Sequence, residues 1–311
     1  SYNCTVKKVL ITGGAGFIGS HAVKMFSDLG YDVVALDIKP SGNKIDWPIG
    51  VINVKADILN DDIERYVAEA DLVVHLAALA GMKQGIFNPY GSMDNNLHAT
   101  KIVSDLCIKY DVELFFASTS EVYGVCADVP LREDSNRTVG PTWDNRWGYS
   151  ESKAMSERLI LLDVKEHGLR AKIGRFFNVA GPMQSGEYGM VMPRFIEAAK
   201  SGDTLTIYGD GSQTRSFCHV TDAVRGIAEV CLHGHLGEVY NIGNPSEISI
   251  KDLADFVIKI AKSNSHISYL PYEDVYPGYT EIPRRVPDIS KIMSLGWEPK
   301  LNLDDIVRDL L

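Results

Sequence analysis

Val9-Leu10-Ile11-Thr12-Gly13-Gly14-Ala15-Gly16-Phe17-Ile18-Gly19 is the stretch from which the rest of the chain is read. Residues 9–11 form an apolar run of the kind that makes a strand covered on both faces, and a helical pattern over residues 18–29 begins at once. Between them, glycines at 13, 16 and 19 supply a tight turn, a close backbone approach and a close helix–sheet contact. That arrangement receives a dinucleotide pyrophosphate at the positive end of a helix. Phe17 and Ile18 open the same helix and belong to the same expected cofactor contact. A glycine turn alone is a weak sign; one flanked by a strand and a helix is a strong one.

Working outward, Asp37 ends the second expected strand, about twenty residues beyond the turn. A carboxylate there can accept hydrogen bonds from an adenosine ribose diol, and it repels a 2′-phosphate. The spacing therefore favours NAD over NADP, although nearby Lys39 tempers the exclusion. Further apolar runs at residues 33–36, 51–54, 72–76, 114–117 and 171–174 read as strands buried on both faces. They alternate with helical patterns at residues 63–68, 94–110 and 150–167. Such alternation marks an α/β fold, a doubly wound parallel Rossmann sheet with helices on both sides.

After Asn178 the punctuation thickens, with Gly181-Pro182, Ser185-Gly186, Gly209-Asp210-Gly211 and Pro277-Gly278. A second, smaller α/β substrate-binding lobe is expected there. Helical patterns at residues 220–232 and 250–261 suggest that the chain crosses between lobes more than once. The expected division is 1–177 for the dinucleotide-binding domain, rejoined by about 217–243, with 178–216 and 244–311 in the second lobe.

The 311 residues are 45% hydrophobic and 23% charged, with a formal charge of −10 and a pI near 5.3. An excess of acid argues against a nucleic-acid partner, which needs clustered Lys and Arg. No apolar run approaches the ~20 residues of a membrane span. Any anionic ligand must be held by a local basic pocket or by backbone N–H groups. Five cysteines, Cys4, Cys107, Cys126, Cys218 and Cys231, show no C-x-x-C spacing and read as reduced thiols. With no secretory signal pattern visible, a cytoplasmic location is expected. The eight histidines show no metal-ligand spacing, and His75 and His219 read as satisfied core or loop residues.

Tyr149 and Lys153 stand one helical turn apart at a helix start. An ammonium beside a phenol, with an oxidised nicotinamide adding positive charge, favours the phenolate and makes Tyr149 a base near neutral pH. Ser118-Thr119-Ser120-Glu121 follows a strand, at the carboxyl end of the sheet, where doubly wound folds bind ligands. If the extended conformation continues, Thr119 and Glu121 face one side.

Together with these motifs, His75-Leu76-Ala77-Ala78, Asn95-Asn96, Arg175-Phe176-Phe177-Asn178 and Asn241-Ile242-Gly243-Asn244 make the chain resemble the extended short-chain dehydrogenase/reductase superfamily of nucleotide-sugar epimerases, dehydratases and decarboxylases. The resemblance implies that Tyr149 takes a proton from a sugar C4 hydroxyl as hydride moves to NAD. Thr119 would hydrogen-bond that hydroxyl and Lys153 the nicotinamide ribose. It implies that Asp57 and Ile58 touch adenine, and that Leu76, Ala77, Ala78, Asn96, Ser118 and Phe176 line the cofactor. Ser120, Asn178, Tyr208, Arg215 and Arg285 would hold the substrate, with Asn178 and the two arginines on its diphosphate and Tyr208 near the base. Homodimerisation through residues 94–110 and 150–167 is implied too.

A 4-epimerase needs no carboxyl beside Thr119, so Glu121 points to proton transfer at C5. The stretches around residues 118–124 and 146–153, with Trp297-Glu298-Pro299-Lys300, look most like UDP-glucuronate decarboxylases. UDP-sugar 4-epimerase and NDP-hexose 4,6-dehydratase stay open as alternatives. A reading of another class, a non-catalytic NAD-binding regulator, has no use for Thr119, Tyr149 and Lys153 together.

Overall fold

Short apolar runs and amphipathic segments alternate through the computed structural model, which describes residues 7–39, 47–79, 88–185, 190–278 and 280–311. Cys4 and Gly186 lie outside the described residues. In chain order the first half holds β1 (Lys8–Thr12), α1 (Phe17–Asp28), β2 (Asp32–Asp37), β3 (Ile52–Lys55), α2 (Glu64–Ala68), β4 (Leu72–His75), α3 (Pro89–Tyr110), β5 (Glu113–Thr119), α4 (Gly148–His167) and β6 (Ala171–Phe176). Then come β7 (Val179–Ala180), α5 (Val191–Ser201), β8 (Leu205–Tyr208), β9 (Thr214–Ser216), β10 (Cys218–His219), α6 (Val220–His233), β11 (Val239–Ile242) and β12 (Glu247–Ser249). The chain closes with α7 (Ile250–Ala261), β13 (Ile267–Leu270), α8 (Tyr272–Val275), α9 (Ser290–Met293) and α10 (Leu303–Leu310).

Seven strands form one parallel sheet in the order β11-β6-β5-β4-β1-β2-β3. The order reverses between β1 and β4, which opens a crevice at the strands' carboxyl ends. One face packs on α1 and α6 through Val23, Phe26, Ile227 and Trp297, and the other on α2, α3 and α4 through Val67, Val103, Cys107 and Ile160. Each such side chain, once buried, contributes roughly 1.5–3 kcal/mol. A third cluster, with Phe195, Leu205, Leu253 and Ile306, joins α5, α7 and α10 around the β8–β13 pair.

Two local expectations change. Residues 51–54 are not covered on both faces: β3 pairs only with β2 at the sheet edge, and Ile52 is 57% exposed. The helix expected from residue 94 starts at Pro89, because the Asn88 side chain accepts from Gly91 N at 3.2 Å and proline suits the first helical position.

Candidate active site

The glycine turn at the end of β1 is built to let another backbone come close. Gly13 has φ +71°, and a Cβ there would lie 2.8 Å from Ala77 N. At Gly19 a Cβ would stand 1.9 Å from Gly13 O, so only glycine lets α1 start against the turn. Gly16 caps α1 with no side-chain hydrogen bond, and the first turn carries no acid, so Phe17 and Ile18 begin a helix whose positive end is left for an anion. Asp37, at the end of β2, turns toward this loop: its Oδ2 accepts from Ala15 N at 3.1 Å and its Oδ1 from Lys39 N at 3.0 Å.

Neighbouring strand ends complete the cradle. Asp57 follows β3, where its carboxylate accepts from Leu59 N and Asn60 Nδ2 at 2.9 and 2.6 Å, and Ile58 beside it is buried. Leu76, Ala77 and Ala78 follow β4, and Ala77 N donates to Thr12 Oγ1 at 3.2 Å. Asn96, buried on α3, accepts from Leu79 N at 2.8 Å and donates to Leu79 O at 3.1 Å, so its amide holds that loop in place. A crowded glycine turn, an open helix start and a strand-end carboxylate together fit a dinucleotide with a free 2′-hydroxyl. His75 lies beneath, between Thr12 Oγ1 at 2.7 Å and Thr100 Oγ1 at 3.2 Å. Burial, helped by the Lys153 charge, lowers it to about 3, so it is a neutral core residue. His219 is satisfied likewise, capping α6 through Thr221 N at 3.0 Å and meeting Asp309 at 3.0 Å.

β5 delivers the reacting groups. The extended conformation stops at Thr119, whose Oγ1 accepts from Glu121 N at 3.2 Å and caps a 3-10 turn over Ser120–Tyr123. The expectation of continued extension past Thr119 is thus corrected, because the threonine hydroxyl offers the backbone a turn instead. Ser120 is buried at the start of that turn. Ser150 Oγ donates to Glu121 O at 2.8 Å and stitches the turn to α4.

On the first turns of α4, Lys153 is buried and its Nζ donates to Ala117 O at 2.8 Å, 4.6 Å from the Phe116 ring centroid. Burial brings this ammonium down to about 8, against the pull of Glu157. Burial, and then the charge of Glu121, push the Tyr149 phenol above its ordinary value. A phenol so placed becomes a base only with added positive charge beside it.

Glu121 has that opposite character. Burial works to raise its carboxyl, but Arg285 at 2.6 Å and Arg146 at 2.7 Å outweigh it and hold it at about 2. It is a carboxylate between two guanidiniums. Arg146, three residues before Tyr149, had no role assigned from the sequence; its signal was a cation in an acidic chain directly ahead of the tyrosine. Trp147 lies under its guanidinium at 4.9 Å.

Behind the site runs a buried polar chain that periodicity did not suggest. Ser118 Oγ donates to Glu157, and Arg175 binds the same carboxylate through Nε at 2.9 Å and Nη2 at 2.7 Å. Arg175 also donates to Tyr123 OH at 2.9 Å, and that hydroxyl donates to Asn241 Oδ1 at 2.6 Å. The chain ties α4, β6 and β11 together beneath the strand ends. Phe176 follows Arg175 and packs edge-on against Phe115 at 6.4 Å.

The remaining expected substrate residues lie on segments that follow β6. Asn178 has φ +35° and donates to Ser216 O at 3.1 Å. Tyr208 ends β8 with the Arg194 guanidinium 4.0 Å above its ring and Tyr276 at 5.8 Å. Arg215, on β9, donates through Nη1 to Thr214 O and Ile282 O at 2.7 and 2.8 Å and through Nη2 to Glu281. Arg285 pairs with Glu121 at 2.6 Å, whereas Arg215 pairs with Glu281. Among the described residues no group of His, Cys, Asp and Glu is arranged to hold a metal ion, and no helix is long and apolar enough to cross a membrane.

Known proteins carry the same frame. The family model "NAD dependent epimerase/dehydratase family" matches residues 9–243. A UDP-N-acetyl-alpha-D-glucosaminuronate decarboxylase of Bacillus cytotoxicus is 37% identical over 95% of this chain and 95% of its own. UDP-glucuronic acid decarboxylase 1 of Danio rerio is 34% identical over 96% of this chain and 70% of its own. Among solved structures, UDP-N-acetylglucosamine 4-epimerase from Methanobrevibacter ruminantium M1, in complex with UDP-N-acetylmuramic acid, superposes with a TM-score of 0.88 at 28% identity, covering 98% of this chain and 97% of that one. A glycine cradle for a dinucleotide, a tyrosine and lysine one turn apart and these likenesses agree: the chain is an enzyme of the NAD-dependent epimerase/dehydratase family.

Proposed function

We propose that this enzyme decarboxylates a UDP-hexuronate, UDP-glucuronate foremost, by way of a 4-keto sugar. Bound NAD supplies the hydride acceptor at C4. Tyr149 takes the C4 hydroxyl proton, Thr119 orients that hydroxyl, and Lys153 carries the positive charge that favours the phenolate. A C4 ketone turns the C5 carboxylate into a β-keto acid, whose C5–C6 bond breaks with its electron pair passing to the C4 oxygen as carbon dioxide leaves. C5 then takes a proton.

The observation that carries this reading is the buried triad of Glu121, Arg146 and Arg285 beside Tyr149. Two guanidiniums there suit a sugar that brings its own carboxylate; once they pair with it, Glu121 is less strongly held as a carboxylate and can carry the proton to C5. The decarboxylase names of the two relatives above support it further. The structural likeness to a 4-epimerase keeps that reaction as a second reading. Incubation with UDP-glucuronate, its 2-acetamido analogue, UDP-glucose, UDP-N-acetylglucosamine, GDP-mannose and dTDP-glucose, with products weighed by mass spectrometry, tests it. Loss of carbon dioxide from a hexuronate is the expected result. Loss of water from a neutral hexose, or an unchanged mass with inverted C4, would sink it.

The same reading assigns residues 1–177, rejoined by about 217–243, to the NAD domain, and 178–216 with 244–311 to the sugar-nucleotide lobe. The placement of β11 beside β6 supports that division. It also makes the protein a homodimer through α3 and α4, where Met93, Met155 and Leu162 are exposed. Light scattering in solution tests the assembly. A reducing, cytoplasmic compartment is in keeping with the free, buried Cys107, Cys126, Cys218 and Cys231.

A further inference from the structure

Both arginines expected on the substrate, and Arg146 beside Arg285, are already paired with a carboxylate of the protein itself. Arg146 and Arg285 share Glu121, and Arg215 pairs with Glu281. The two cases differ in kind. Glu121 lies between two guanidiniums, and both arginine side chains there are under 10% exposed, at 6% and 8%. Glu281 is the more open carboxylate, its side chain 28% exposed, and besides Arg215 it accepts from its neighbour Ile282 N at 2.8 Å.

Backbone delivers Glu281 to this spot. Thr214 N donates to Pro283 O at 2.9 Å, Ser216 Oγ donates to Arg285 O at 3.3 Å, and Arg146 Nε donates to Thr280 O at 3.3 Å. Thus Thr280 and residues 281–285 are fastened along β9 and to the Glu121 triad. Two carbonyls take the Nη1 side of Arg215, and Glu281 takes Nη2. A guanidinium fork offers a limited set of N–H directions, so an incoming oxyanion at Nη2 meets a carboxylate in its place.

We propose that Glu281 is a specificity-determining residue that masks Arg215 with an internal carboxylate, which a nucleoside diphosphate must displace in order to bind. This rests on the reading of Arg215 as a diphosphate contact. A ligand whose partner group is free for only a fraction of the time binds with its affinity reduced by that fraction. A diphosphate carries more negative charge than the carboxylate it replaces and wins the exchange; a neutral or singly charged ligand leaves Arg215 paired. The mask raises the KM for the nucleotide sugar and leaves the chemical step alone.

The test is a double-mutant cycle read by calorimetric titration of the NAD-loaded protein with UDP, and by KM and kcat with UDP-glucuronate. In Glu281→Gln, the Kd for UDP and the KM should each fall about fivefold, the scale of one partly exposed ion pair, while kcat moves less than about twofold. Arg215→Met should weaken UDP, and adding Glu281→Gln to it should change nothing more. An unchanged or weaker Kd in Glu281→Gln overturns the mask, as does an equal gain in both backgrounds, which would be a general charge effect. If Arg215→Met leaves UDP binding unaltered, the diphosphate reading of Arg215 fails and the mask goes with it. A wild-type protein that does not bind UDP removes the UDP-sugar reading itself.

Discussion

Lys153 and Glu121 show how far a side chain's surroundings move it from its ordinary chemistry. The Lys153 ammonium, lowered by burial to about 8, is charged below that pH and loses its proton above it. Support for the Tyr149 phenolate therefore fades as pH rises, and kcat/KM is expected to fall on an alkaline limb centred near 8 in a pH-rate profile; a profile still flat at pH 10 would contradict this. Glu121 behaves in the opposite sense. Held at about 2 by the two guanidiniums, it is a weak base, ionised near neutrality before a sugar carboxylate binds, and it contributes no acid limb there. Glu121→Gln is expected to slow turnover of UDP-glucuronate by at least ~10²-fold, read by single-turnover kinetics of product formation. Tyr149 and Lys153 were legible as a pair because four residues make one helical turn. The Glu121 clamp was not, because Arg285 reaches it from a distant part of the chain.

At the scale of elements, spacing along the chain was the better guide where the interaction is local. The β1–turn–α1 unit could be drawn from its glycines, since each answers a steric demand made by residues a few positions away. A Cβ at Gly19 would stand 1.9 Å from Gly13 O, so Gly19→Ala is expected to abolish NAD binding in a fluorescence titration and to cost ~3 kcal/mol in urea unfolding. Retained binding would mean that α1 can shift off the turn. Where partners are distant, the same reading was less complete. Ile52 looked like core but faces water, because a strand's neighbours, and not its composition, determine whether it sits at an edge. The early start of α3 was written in Asn88 and Pro89, a capping signal that apolar periodicity passes over.

For the whole molecule, the last stretch of chain returns to the sheet and closes one face of it. Trp297 is buried against Gly226 and Ile227's layer, and its Nε1 donates to Asp222 O at 3.1 Å. The Asp222 carboxylate accepts from Lys300 N and Leu301 N at 2.9 and 2.8 Å, which fastens the approach to α10 onto α6. Trp297→Ala is expected to destabilise the protein by ~3–5 kcal/mol in chemical unfolding, with kcat of the folded fraction retained. A loss below ~1 kcal/mol would show that this segment is not part of the cooperative core.

Strand and helix alternation, the glycine turn, Asp37 and the Tyr149–Lys153 turn were determined by the sequence alone, because each depends on residues within one element or its neighbour. Which carboxylate faces which guanidinium was decided by the tertiary structure: Glu121 with Arg146 and Arg285, Glu281 with Arg215, Glu157 with Arg175. Charge pairing acts through space over a few ångströms, and only the folded sheet, with its loops gathered at one edge, brings those groups within that range.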